Sequence, residues 1–129
     1  MELQPKICNI CGKDSVIFAS NKIIYGKEYG SGKCYYCTEC GAYVGTHKPR
    51  PEEALGLLAN KEMRDMKMKC HDIFDALWKT KDTRKEQCQT RNESYARLAR
   101  EMNIAIDECH FGWFDMDKLN IAYNILLTW

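Results

Sequence analysis

The chain has 129 residues, with 19 Lys plus Arg against 18 Asp plus Glu and eight cysteines. That length holds one domain or two small lobes, and a hydrophobic content of 45% excludes a disordered or fibrous chain. A formal charge of +1 gives no global basic excess of the kind that announces a nucleic-acid partner.

In chain order, the first half carries short β-prone runs separated by Asn, Gly and Ser turns: VIFAS at 16 to 20, KIIYG at 22 to 26, KCYY at 33 to 36 and AYVG at 42 to 45. KPRPEE then places two prolines just before the pattern changes, which predicts a hinge near residues 48 to 53. ALGLLA reads as a short apolar helix or turn. From there the spacing is helical. A first helix is predicted after Asn60, burying Met63, Met66, Cys70, Phe74 and Leu77 at gaps of three or four. A second has two competing capping boxes, Thr90 with Glu93 and Thr83 with Glu86, of which the former is preferred because Tyr95, Leu98, Ala99 and Met102 follow it on one face. A third is capped by Asp115 or Asp117 and buries Leu119, Tyr123 and Leu126. The expected fold class is α+β: two Cys-x2-Cys knuckles, at 8 to 11 and 37 to 40, make the first part a small β zinc ribbon over residues 1–48, and a three-helix lobe over 49–129 follows, packed with it as one compact unit.

The strongest chemical signal is a doubled motif, CNICG at 8 to 12 and CTECG at 37 to 41. Two residues between cysteines let a tight turn aim both sulfurs at one ion, and the following Gly can take a positive φ that brings backbone amides toward the sulfurs. The 25 residues between Cys11 and Cys37 suit a hairpin that folds back on itself. Soft thiolates in a tetrahedral set select Zn²⁺ or iron, and zinc is the commoner structural choice. Cys8, Cys11, Cys37 and Cys40 are therefore the predicted ligands of one structural Zn²⁺. The spacing also permits Cys34 with Cys37, but only Cys40 is followed by Gly. A closed set of four thiolates leaves no coordination position for water and is not catalytic.

Export and membrane insertion are not expected. The start, MELQPKICNICGK, leads into no apolar run of signal-peptide length, and the longest uncharged stretch, the eleven residues from Leu119 to Trp129, is too short and polar to span a bilayer. The thiols should then stay reduced in a cytoplasmic setting, which favours ligands and packed cysteines over disulfides. Cys70 lies on the apolar stripe of the first helix, and Cys88 in a polar stretch.

The runs YYCTECGAYVGTH (35 to 47), LGLLANKEMR (55 to 64), HDIFDALW (71 to 78), RNESYARLA (91 to 99) and ECHFGWFD (108 to 115), in this order, resemble a zinc-finger-containing domain family of unknown function found in bacteriophages and bacteria. The resemblance covers most of the chain from Cys8 to the last helix. It implies zinc binding and a bacterial or phage-infected cytoplasm, and it supplies no reaction.

Two functional classes remain. One is a zinc module that binds a macromolecular partner. For nucleic acid, Lys22, Lys27 and Lys33 interleave with Tyr25, Tyr29, Tyr35 and Tyr36; for protein, the near-zero net charge and the aromatics suit an ordinary interface. The charge divides as seven Lys/Arg against four Asp/Glu over residues 1–50, or +3, and four thiolates around Zn²⁺ would lower this to about +1. The alternative is a metal-dependent hydrolase or nuclease using His47, His71, Asp75 and His110. His71 and Asp75 are helical neighbours, so the carboxylate can orient the imidazole. Arg91, at the start of the preferred second helix, calls for a carboxylate partner, Asp75 or Glu93.

Overall fold

The computed structural model describes residues 1–129 and divides into two compact units, Met1–Glu62 and Met63–Trp129. The boundary falls after residue 62 rather than at the predicted hinge near 48 to 53. The reason is local pairing: Thr46 bridges Ala54 and Tyr43 bridges Ala59, so the segment beyond the prolines folds back onto the ribbon as extended chain. ALGLLA accordingly forms no helix.

The first unit is a three-stranded antiparallel meander. Strand β1 (Val16–Ser20) is followed by a single helical turn, α1 (Lys22–Tyr25), then β2 (Lys33–Cys37) and β3 (Tyr43–Gly45), in the order β1-β2-β3. Val16 faces Cys37 and Ser20 faces Lys33 across the first pair, and Cys34 faces Gly45 across the second. KIIYG, predicted as a strand, is α1. Its β-branched residues lose to the two ends of the segment: Gly26 closes the turn at φ 79°, and Asn21 holds the chain that follows by donating to the Tyr29 carbonyl (2.8 Å) and accepting from the Tyr29 amide (3.1 Å). An amide side chain that satisfies both groups of a distant peptide outweighs local strand propensity.

The second unit is helical. Helix α2 (Lys61–Lys79) begins directly after Asn60 and buries Met63, Cys70 and Phe74 of the predicted stripe, while Met66 and Leu77 are half-buried; its first two residues, Lys61 and Glu62, belong to the first unit. Helix α3 (Arg84–Met102) starts about two turns earlier than preferred, because Thr83 is the cap and its hydroxyl accepts from the Glu86 amide at 3.1 Å. Two 3₁₀ turns, Ile106–Glu108 and Phe111–Trp113, lead into α4 (Met116–Leu126), which buries Leu119, Ala122 and Leu126. The core forms around aromatic rings: Phe111 contacts Phe74 (5.4 Å between centroids) and Phe114 (5.8 Å), and Phe74 lies 4.3 Å from Tyr95. No helix is long and apolar enough to cross a membrane.

Of the two candidate caps for α4, Asp115 is used: its carboxylate accepts from the Lys118 amide at 2.9 Å, and its charge lies at the positive end of the helix dipole. Asp115→Ala is expected to destabilise the second unit by about 1 kcal/mol, read as a lower urea midpoint at unchanged slope. Wild-type stability in this variant would show that the cap carries no energy.

Candidate metal centre

The two cysteine motifs fold into matching knuckles. In the first, the Cys8 amide donates to the Lys13 carbonyl (2.8 Å) and the Gly12 amide to the Cys8 carbonyl (2.8 Å); in the second, the Cys37 amide donates to the Ala42 carbonyl (2.8 Å) and the Gly41 amide to the Cys37 carbonyl (2.9 Å). Gly12 and Gly41 hold φ of 77° and 79°, a conformation a side chain would strain. Backbone amides turn inward as a result, from Ile10 to Cys8 Sγ (3.3 Å) and from Cys40 to Cys37 Sγ (3.5 Å).

The sulfurs of Cys8, Cys11, Cys37 and Cys40 all lie within 4.8 Å of one another. Cys8 and Cys40 approach to 3.6 Å, as do Cys11 and Cys37. A tetrahedral Zn²⁺ with bonds of about 2.3 Å sets its sulfurs about 3.8 Å apart, so the spacing matches a shared ion and is far too long for disulfides. All eight cysteines are free thiols. The donor set therefore fits zinc in number, chemistry and spacing. Cys34 stands apart from this group, and the strand explains why. Alternation along β2 places Cys34 and Cys37, three residues apart, on opposite faces, and burial pushes the Cys34 thiol up.

Electrostatics prepare one sulfur for the ion. Cys37 is lowered to about 6, first by the Ser15 hydroxyl that donates to it at 3.1 Å and then, against the cost of burial, by backbone amides. Cys40 moves the other way, to about 12: the Ala42 amide favours its thiolate, but desolvation and the neighbouring sulfurs of Cys8, Cys37 and Cys11 outweigh that pull. Four adjacent thiolates repel one another, and a divalent cation is the charge that lets all of them ionise.

Two residues that support this site carry no recognisable signal in the sequence. Ser15 reaches Cys37 because the β1–β2 register sets the neighbouring Val16 opposite Cys37, and its carbonyl also accepts from the Thr38 amide (3.0 Å) and hydroxyl (3.1 Å). Asn9 clamps the first knuckle to the chain at Leu58, donating to its carbonyl (2.8 Å) and accepting from its amide (2.9 Å).

The histidine set is distributed differently. His47 lies in the first unit just beyond β3, whereas His71, Asp75 and His110 belong to the second. Asp75 does not orient His71: its carboxylate accepts from the Trp78 indole (3.0 Å) and pairs with Lys79 (3.6 Å). The His71 ring stands edge-on to Phe111 at 4.9 Å, and desolvation holds it below the usual imidazole value while Asp75 pulls upward. His110 lies 6.3 Å from Tyr95 between ring centroids. Cys109 is buried beside an exposed His110, so the two side chains point apart, and burial pushes the Cys109 thiol up to about 11. Arg91 sits inside α3, where the dipole argument for a carboxylate lapses, and its guanidinium lies over Tyr95 at 5.1 Å; Glu93 accepts from Gln89.

No curated protein and no solved structure matches the chain. The doubled knuckle and its converging sulfurs do have a counterpart at the level of family: residues 4–128 match a zinc-finger-containing domain, and the chain belongs to that family.

Proposed function

We propose that this chain is a zinc-dependent recognition module, in which one structural Zn²⁺ held by Cys8, Cys11, Cys37 and Cys40 fixes the β unit so that it presents a surface to a macromolecular partner. The observation that supports it is the convergence of four sulfurs on one point with a spacing suited to a single ion. Four protein ligands close the coordination sphere, so the ion supplies folding energy and holds no water for chemistry. The reduced thiols that this requires suit a bacterial or phage-infected cytoplasm.

Metal analysis of the purified chain tests the assignment. We expect one zinc per chain, retained in Cys34→Ala and in the combined His47→Ala, His71→Ala, His110→Ala variant, and lost in Cys37→Ser. A second equivalent of metal that disappears with the histidines would overturn the reading in favour of a hydrolytic centre.

A further inference from the structure

We propose that the first unit binds single-stranded nucleic acid at a pocket framed by Tyr25 and Tyr29, taking up one unpaired base there and its flanking phosphates on Lys22, Lys27 and Lys33. This rests on the recognition-module reading and names its partner. The pocket has a volume of about 530 Å³ and is lined by both tyrosines, Lys33, Leu55 and the turn at Gly30 and Ser31. Tyr25 and Tyr29 are 52% and 51% exposed, large areas for aromatic side chains in a small unit. Their rings stand 5.4 Å apart at 89°, so a base stacked on one ring meets the edge of the other. Of the four tyrosines in the sequence pattern, Tyr35 is not available for stacking: it is 5% exposed and its hydroxyl donates to the Glu52 carbonyl.

The pocket is built before any ligand arrives. Asn21 fixes Tyr29 through both its backbone groups, Gly30 and Gly32 take φ of 56° and 80° to turn the loop, and the Ser31 and Thr46 hydroxyls meet at 2.6 Å. The Lys27 ammonium sits over the Tyr29 ring at 5.3 Å. The segment from Ser20 to Lys33 carries three lysines against a single acid, Glu28, which accepts from the Ser20 hydroxyl at 2.8 Å. A local positive field beside exposed rings is the chemistry that recognises a polyanion with accessible π-faces. Paired bases bury their faces in the stack, which excludes a duplex from this pocket. The side-chain amide and hydroxyls of the lining are engaged with the protein itself, Asn21 with Tyr29, and Ser31 and Thr46 with each other and the Lys33 carbonyl, so the site lacks their help in reading a ribose 2′-hydroxyl and treats DNA and RNA alike.

Filter binding with the full-length, zinc-loaded protein and end-labelled oligothymidylate or oligouridylate of about twelve nucleotides tests this. We expect saturable retention of both, within about threefold of each other, and much weaker retention of a blunt duplex. Raising salt from 50 to 200 mM should cost about 20-fold in affinity if three phosphates are neutralised, and the combined Lys22→Ala, Lys27→Ala, Lys33→Ala variant should flatten that dependence to less than about threefold. Tyr25→Ala with Tyr29→Ala should weaken binding about tenfold or more, while the matching Phe pair, which keeps the ring faces, stays within about twofold of wild type. Zinc content and melting temperature measured on every variant show that the fold is intact. A zinc-loaded, folded wild type that retains neither strand overturns the pocket and leaves the metal assignment standing. Equal affinity for duplex, or unchanged binding in the alanine pair, overturns it as well. Metal-free protein that remains folded and binds the strand does the reverse, removing the zinc reading alone.

Discussion

Chelation of the metal is expected to unfold the β unit. Apart from Pro5, Tyr35 and Leu58, the buried apolar side chains of residues 1–62 are only cysteines and alanines: Cys8, Cys34, Cys37, Ala42, Ala54 and Ala59. A core of that size cannot offset the conformational entropy of some sixty residues at about 1–2 kcal/mol each for the backbone alone. Structural Zn²⁺ supplies about 10–16 kcal/mol in finger peptides near neutral pH, which is of the order of a whole domain's stability. Iodoacetamide labelling followed by mass spectrometry reads the outcome residue by residue. In zinc-loaded protein, Cys88 is the exposed thiol outside the metal cluster and should react first. After chelation, Cys8, Cys11, Cys37, Cys40 and the strand thiol Cys34 should become reactive. Cys70 and Cys109 should stay protected, since both are buried in the second unit and burial pushes each up to about 11. Retention of strand circular dichroism and of thiol protection after exhaustive metal removal would rule out a structural role for zinc.

Phe111→Ala is expected to be the most damaging single core substitution in the second unit. Phe111 is 2% exposed and contacts His71 at 4.9 Å, Phe74 at 5.4 Å, Phe114 at 5.8 Å and Tyr95 at 6.1 Å between ring centroids. It therefore links α2, α3 and the 3₁₀ segment ahead of α4. Truncation removes the ring's transfer energy and leaves a cavity that four rigid aromatic neighbours cannot collapse into, for a cost of about 3–5 kcal/mol. In a unit of this size each kcal/mol shifts the melting temperature by about 4–8 °C, so loss of cooperative unfolding near ambient temperature is within reach. Urea titration of Phe111→Ala beside Phe111→Leu checks it. The leucine variant should recover more than half of the loss, and equal damage from both would place the importance of the residue in ring geometry rather than in volume.

Which features could be read from the sequence follows from how local their causes are. The knuckles were legible because each is closed by hydrogen bonds within five residues and needs its Gly at one position. β1 was legible from five β-prone residues bounded by turns, and the stripe on α2 from spacing alone. The errors share a different origin. α1 was predicted as a strand because the amide of Asn21 acts on Tyr29, eight residues away. The start of α3 was a choice between two Thr-x-x-Glu boxes with the same local chemistry. Residues 49–62 join the ribbon through bridges to Tyr43 and Thr46, pairings that the two prolines conceal. Ser15 and Asn9 support the site through register and through a contact 49 residues distant, neither of which leaves a mark on the local pattern.

The partition of the chain also decides how its unfolding can be observed. Trp78, Trp113 and Trp129 all fall in the second unit, while the first holds tyrosine as its fluorophore, Tyr25 and Tyr29 among them. Excitation at the red edge, where indole alone absorbs, therefore starts from fluorophores of the helical part alone. A denaturation curve followed by indole emission carries no fluorophore of the metal-bearing part, so the two parts need separate optical channels.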